Sequence, residues 1–197
     1  MLDSLFTWFK TNPVTACLVF GGILLAGAIT VYAIVRKGNW KDRGFMVRNG
    51  KELHLPADLP WSIHVEPSVP VFYVDALNTI VADLRDKVGN IFSRVMHLKS
   101  AEVALNVKVL VAIDNDISGG DTKHQFNKQT GVILSAFVSI APGLDYGTAL
   151  KVLAHEIGHV CGLDHDEHPG SIMHPRIQDR PQSYTEKDIE RLRKAYT

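Results

Sequence analysis

The 197-residue sequence predicts an α+β domain behind a single N-terminal transmembrane helix. Three observations carry that reading. Thr11 to Val35 holds no charged residue. Beyond it, three short segments alternate apolar and polar side chains, the period of a half-buried strand. Among them lie segments whose apolar residues recur every three or four positions, the period of an amphipathic helix. The order strand, helix, strands, helix, helix gives a β-sheet with a long covering helix and two further helices.

The N-terminal segment is assigned first. Residues 1–12 form a short tail. Pro13 to Val35 is 23 residues, about 35 Å as a helix at 1.5 Å per residue. That exceeds a hydrocarbon core of about 30 Å, so a tilted span fits. Asn12-Pro13 supplies an N-cap and a proline at the first helical position. Trp8, Phe9, Tyr32 and Trp40 flank the run where interfacial aromatics belong. The alternative is a cleaved signal peptide. Its small-residue site, Ala26-Gly27-Ala28, falls inside the apolar run rather than after it, which favours a retained anchor. Arg36, Lys37, Lys41, Arg43, Arg48 and Lys51 follow the span, against Lys10 alone before it. The positive-inside rule then places the C-terminal side in the cytoplasm.

Residues 36–50 are basic, with glycines at 38, 44 and 50, and read as a juxtamembrane linker able to touch anionic lipid heads. Residues 51–197 form the globular domain. The formal net charge is zero, but residues 1–51 hold seven Lys/Arg against two Asp/Glu, leaving the remainder mildly acidic. No basic stripe argues for nucleic acid as a partner. The two cysteines, Cys17 and Cys161, lie in the apolar run and in a helix, so no disulfide between them is expected.

Within the domain, Trp61–Glu66 alternates as a first strand. Leu77, Ile80, Val81, Leu84, Val88, Ile91, Phe92 and Val95 keep helical spacing and predict one long helix through Val95. Val107–Ile113 and Val132–Ile140 alternate as strands. Asp114–Asp121 between them reads as a solvated turn. Ca²⁺ is its alternative ligand, although the spacing of Asp114, Asp116 and Asp121 does not match the EF-hand pattern. Gly147–Cys161 is a helix. Thr185-Glu-Lys-Asp188 is a capping-box variant opening a last helix, with Ile189, Leu192 and Tyr196 on its inner side.

The chemistry concentrates in His155-Glu-Ile-Gly-His159-Val-Cys-Gly162-Leu-Asp-His165, five fixed identities of the pattern H-E-x-x-H-x-x-G-x-x-H. Two histidines four apart on a helix lie roughly 40° apart around its axis, so both imidazoles leave one face. Two neutral imidazoles on one face can bind one Zn²⁺. Glu156 follows the first and is placed to act on a metal-bound water. Gly162 offers the positive φ that ends a helix and turns the chain, bringing His165 round as a third ligand. Three protein ligands leave the fourth position open, the mark of a catalytic rather than a structural zinc ion. His54, His64, His97, His124, His168 and His174 have no ligand spacing and read as surface or satisfied core. Asp166 reads equally as a helix-end polar group or as one that orients a ligand.

On this motif and on Ser171-Ile-Met173-His-Pro175 shortly after it, the chain resembles the metzincin zinc peptidases, the matrixin-like members above all. The resemblance is specific from about Gly147 to Tyr196, architectural from about Leu53 to Pro142, and does not reach the first fifty residues. It implies a zincin fold, a twisted mixed β-sheet with a long covering helix, an active-site helix and a C-terminal helix, with Met173 in a turn packed beneath the zinc ligands. It also implies hydrolysis of protein or peptide substrates with Glu156 as general base. Substrate is expected to lie extended along a sheet edge, either Thr122–Lys128 or the stretch from Gly131, with residues 174–182 walling the pocket beyond the cut. Two departures stand out. Pro175 removes the tyrosine that some members carry two residues after the methionine. No cysteine lies between anchor and domain, so the thiolate latency device of matrixins has no counterpart there. The alternative reading is a membrane-anchored binding or scaffold protein on a catalytically retired peptidase fold, against which Glu156 argues, since a purely structural zinc site does not need it.

Overall fold

The computed structural model describes residues 44–98, 107–168 and 170–197. The tail at 1–12, the segment 13–35 expected to be a membrane anchor, the first part of the expected linker and Cys17 lie outside the described residues. Among the described residues, no helix is long and apolar enough to cross a membrane.

The elements run β1 (Val47–Arg48), β2 (Lys51–Glu52), β3 (Trp61–Val65), α1 (Val71–Lys87), β4 (Phe92–His97), β5 (Val109–Ile113), β6 (Gly120–Phe126), β7 (Ile133–Ile140), α2 (Tyr146–Val160), a 3-10 turn (Ile177–Asp179) and α3 (Glu186–Tyr196). The main sheet has the order β4-β3-β5-β7-β6. Its first four strands are mutually parallel, and β6 pairs antiparallel with β7 at the edge. The sheet is therefore mixed, as expected. Among the described residues β6 is an edge strand of this sheet, whereas β7, the stretch after Gly131, lies between β5 and β6.

Alternation sets the strands. Trp61, Ile63 and Val65 are buried while Ser62 and His64 are half-buried. Val109 and Val111 of β5, and Ile133, Val138 and Ile140 of β7, are fully buried with them. Tyr73, Leu77 and Leu84 of α1 join Leu153 and Ile157 of α2 in the same core. Burying each such side chain contributes roughly 1.5–3 kcal/mol before chain entropy is subtracted. Tyr73 also reaches across the fold, donating to the Ala141 carbonyl at 3.0 Å.

Helix α1 ends at Lys87, short of the Val95 that apolar spacing suggests. Ile91, Phe92 and Val95, which that spacing assigns to the helix, lie beyond it, and Phe92–His97 is strand β4. The reason is local. The amides of Val88 and Gly89 both turn back to the Leu84 carbonyl. Gly89 then takes φ +131°, a conformation closed to most side chains.

The basic stretch assigned to a linker is folded from Gly44 onward. Asn49 and Gly50, both at positive φ, make the tight turn of the β1–β2 hairpin. Met46 donates to the Gly162 carbonyl at 2.7 Å, and Phe45 bridges Leu163. Gly44–Thr197 accordingly forms one compact unit.

Candidate metal centre

Helix α2 starts where Asp145 accepts the Thr148 amide at 3.0 Å, an N-cap that satisfies one of the free donors of the first turn. From Val152 to Val160 every residue is buried, so the helix runs through the core and carries its histidines with it. At its end Gly162 has φ +85°, and a Cβ there would stand 2.2 Å from the Leu53 carbonyl oxygen. Only glycine fits both the dihedral and the space. The turn is tied down by Gly162 N to His159 O at 2.7 Å and Leu163 N to Gly158 O at 3.0 Å. It returns the chain so that His165 faces the helix.

The three histidines expected from spacing do converge. Their Nε2 atoms are 3.0 Å (155–159), 3.2 Å (155–165) and 3.2 Å (159–165) apart. The tautomers of the first two follow from their other ring nitrogens. His155 Nδ1 lies 2.8 Å from the Ile172 carbonyl and His159 Nδ1 lies 2.8 Å from the Leu163 carbonyl. A carbonyl only accepts, so each Nδ1 carries the proton and each Nε2 presents a lone pair. Burial, then the neighbouring His159, holds the pKa of His155 down to about 2. Burial first, with His165 and His124 adding to it, holds His159 down to about 3, against the Leu163 carbonyl bond. Lone pairs of neutral imidazoles at this range repel unless a cation sits among them. Tetrahedral nitrogens on a bond of about 2.0–2.1 Å would be about 3.3 Å apart, so the donor set fits a zinc ion.

Beneath the cluster lies Met173, fully buried. A Cβ on Gly158 would come within 2.4 Å of its sulfur, so the glycine between His155 and His159 is what lets the methionine reach the helix. Asp188, also fully buried, accepts from Ser171 Oγ at 2.9 Å and from the Ile172 amide at 3.2 Å. The same carboxylate completes the capping box of α3 with Thr185. Asp166 turns outward from the cluster, pairing with Lys187 at 2.8 Å and Arg191 at 3.0 Å. Asp114 closes its own turn by accepting the Asp116 amide at 3.0 Å, while Asp121 lies on β6 beside Lys123.

Glu156 is 3% exposed. Burial raises its pKa to about 7, against the opposing bond from Thr122. That bond runs from Thr122 Oγ1 to Glu156 Oε2 at 2.6 Å. The carboxylate also lies over Gly120, where a Cβ would stand 2.6 Å from both Cγ and Oε1. Edge strand β6 thus supports the glutamate, and His124 on the same strand lies 2.8 Å by Nε2 from the His159 carbonyl. Arg180 follows the 3-10 turn, 7% exposed, donating to the carbonyls of His174 and Pro175 at 2.6 and 3.0 Å. Its charge helps hold all three imidazoles neutral.

With this geometry in view, comparison with known families is decisive. The model of the Matrixin peptidase family matches residues 43–197. The chain belongs to the matrixin family. Its matrixin match begins where the packed unit begins, at the hairpin that pins the Gly162 turn. A stretch of 39 residues is 46% identical to Matrix metalloproteinase-B of Caenorhabditis elegans, covering 20% of this chain and 8% of that protein. Among solved structures, archaemetzincin from Methanopyrus kandleri aligns with a TM-score of 0.47 at 11% identity, over 71% of this chain and 97% of that one. Archaemetzincin from Archaeoglobus fulgidus, complexed with malonate, gives 0.41 at 18% identity, over 66% and 98%. Matrixins are metzincins, and metzincin-type families bind zinc, which agrees with the donor set.

Four residues of this matrixin site escape reading by spacing: Gly120, Thr122, Gly158 and Arg180. Gly158 carried the one available signal, as a glycine inside an otherwise helical pattern.

Proposed function

We propose that the chain is a membrane-anchored zinc endopeptidase, with His155, His159 and His165 holding the metal and Glu156 acting as general base. The observation that carries this reading is three converging Nε2 lone pairs beside a buried carboxylate whose pKa lies near neutrality. When bound, zinc supplies Lewis acidity, polarising the scissile carbonyl and making a water acidic enough to attack at neutral pH. The carboxylate of Glu156 takes the water proton as the new C–O bond forms. It returns the proton to the leaving nitrogen as the C–N bond breaks, which regenerates the base. The free side of β6 receives the substrate backbone as an added strand, and residues 174–182 face the side chain beyond the cut. The apolar segment 13–35 anchors the domain, and the charge asymmetry around it favours the cytoplasmic face.

The test uses the full chain on a diverse peptide mixture, with products identified by mass spectrometry. Cuts that vanish with Glu156→Ala while zinc content stays at one ion per chain support the reading. A zinc-loaded wild type that cuts nothing favours the binding or scaffold protein instead. Protease accessibility in sealed membranes reports the sidedness, and digestion of the domain from outside intact cells would sink the cytoplasmic assignment.

A further inference from the structure

Strand β6 turns three successive alternate residues toward helix α2, and none of them is apolar filler. Gly120 leaves room for the Glu156 carboxylate, Thr122 donates to it, and His124 meets the His159 carbonyl. The Thr122 hydroxyl has two acceptors within reach, Glu156 Oε2 at 2.6 Å and the Glu156 carbonyl at 3.3 Å. The shorter distance is that of a charge-assisted O–H···O bond, the stronger class. The hydroxyl adds nothing that the strand itself requires, because valine has the same shape and an equal preference for sheet. A glutamate side chain has three rotatable bonds, and a buried one with a single hydrogen-bond anchor is oriented by that anchor.

We propose that Thr122 is a positioning residue for the catalytic carboxylate: its hydroxyl, with the space left by Gly120, fixes Glu156 against the edge strand in the orientation from which it takes a proton. This rests on the reading of Glu156 as general base. It has a consequence beyond support. The strand that receives the substrate backbone is the strand that aims the base, so the position of one sets the position of the other. A displacement of about 1 Å at a catalytic group can cost on the order of a hundredfold in rate.

The experiment compares the full chain with Thr122→Val, Thr122→Ser and Glu156→Ala, using a peptide that the wild type cleaves. The expected result is a kcat lower by roughly ten- to a hundredfold in Thr122→Val, recovery in Thr122→Ser, and unchanged KM and zinc content in both. A second readout needs neither metal nor turnover. In the metal-free protein, urea midpoints of Thr122→Val, Glu156→Ala and the double variant should be non-additive, the signature of a direct contact. Additive midpoints overturn the proposal whatever the activity. Coupled midpoints with a wild-type kcat in Thr122→Val also overturn it, because the contact is then structural only, while the Glu156 reading stands on its own variant. A wild type without cleavage sinks the peptidase reading, and the catalytic sense of the contact falls with it.

Discussion

The carboxylate of Asp188 accepts the backbone amide of Ile172 at 3.2 Å. The carbonyl of that same Ile172 faces His155 Nδ1 at 2.8 Å. One peptide residue therefore links a buried acid in the last helix to the tautomer of a histidine of the candidate metal centre. The support of a metal ligand by a hydrogen-bonded second layer is a general requirement of metal sites. Here that layer arrives from a helix that begins at Glu186.

Replacing Asp188 by Ala should leave the Ser171 hydroxyl and the Ile172 amide buried without an acceptor. Each orphaned donor costs about 1–3 kcal/mol. The expected result is a lower urea midpoint together with weaker zinc retention against a chelator. Destabilisation with unchanged retention would show that the link to His155 carries no load.

Gly162→Ala should be more severe than a surface glycine change. A non-glycine residue at positive φ costs roughly 1–2 kcal/mol. Its Cβ would also meet the Leu53 carbonyl at 2.2 Å, a backbone atom with little freedom to retreat. The turn must open, and His165 moves with it. Zinc titration should show an affinity loss much larger than that of Gly143→Ala, where a Cβ meets nothing within 4 Å despite a similar φ of +72°.

Met173→Ala removes a fully buried side chain from beneath the ligands. Truncations of this kind cost about 2–5 kcal/mol. The lining of the cavity includes Gly158, between the two helical histidines, so the ligands lose their floor. Thermal unfolding should fall markedly, and Met173→Leu should recover most of it because volume is nearly conserved.

Removing the metal should make the domain sensitive to acid. His155 and His159 are held at about 2 and about 3 in the folded metal-free protein, both chiefly by burial, whereas unfolded histidine titrates near 6.5. Below about pH 6.5 the two histidines bind protons in the unfolded chain that they do not bind in the folded one, and together they outweigh the single proton that Glu156, raised to about 7 by burial, holds only when folded. Stability therefore rises with pH in that window and is lost progressively as pH falls from 6.5 toward 3. Melting temperatures of the chelated protein across pH 4–8 check this. A flat profile would contradict buried neutral imidazoles.

The motif and α2 were legible because their information is local: eleven residues hold the ligand spacing, the base and the helix stop. The capping box at Thr185 was legible for the same reason. The end of α1 was not, since Ile91, Phe92 and Val95 keep helical spacing by coincidence while serving the turn and β4, and the break depends on Gly89. Strand β6 was legible only as one of two possible sheet edges, Thr122–Lys128, and not from its own pattern, because an edge strand need not alternate apolar with polar residues. Its sequence, Gly-Asp-Thr-Lys-His-Gln-Phe, carries little apolar signal. The bond from Thr122 to Glu156 was invisible because the two lie 34 residues apart and no spacing rule connects them. The hairpin at 47–52 was hidden by basic composition that suits a linker as well as a two-residue strand.

Tyr196 takes the Leu55 amide at 3.1 Å on its hydroxyl and gives its own proton to the Cys161 carbonyl at 2.6 Å. The brace on the end of the metal helix is thus built from residues 141 positions apart. Contacts of such long range form late, after the shorter loops have closed. On the ribosome, the complete histidine motif emerges well before the tyrosine that steadies it. A growing chain would carry all three clustered histidines while the brace was still missing, so the end of this helix is steadied only once Tyr196 has been made.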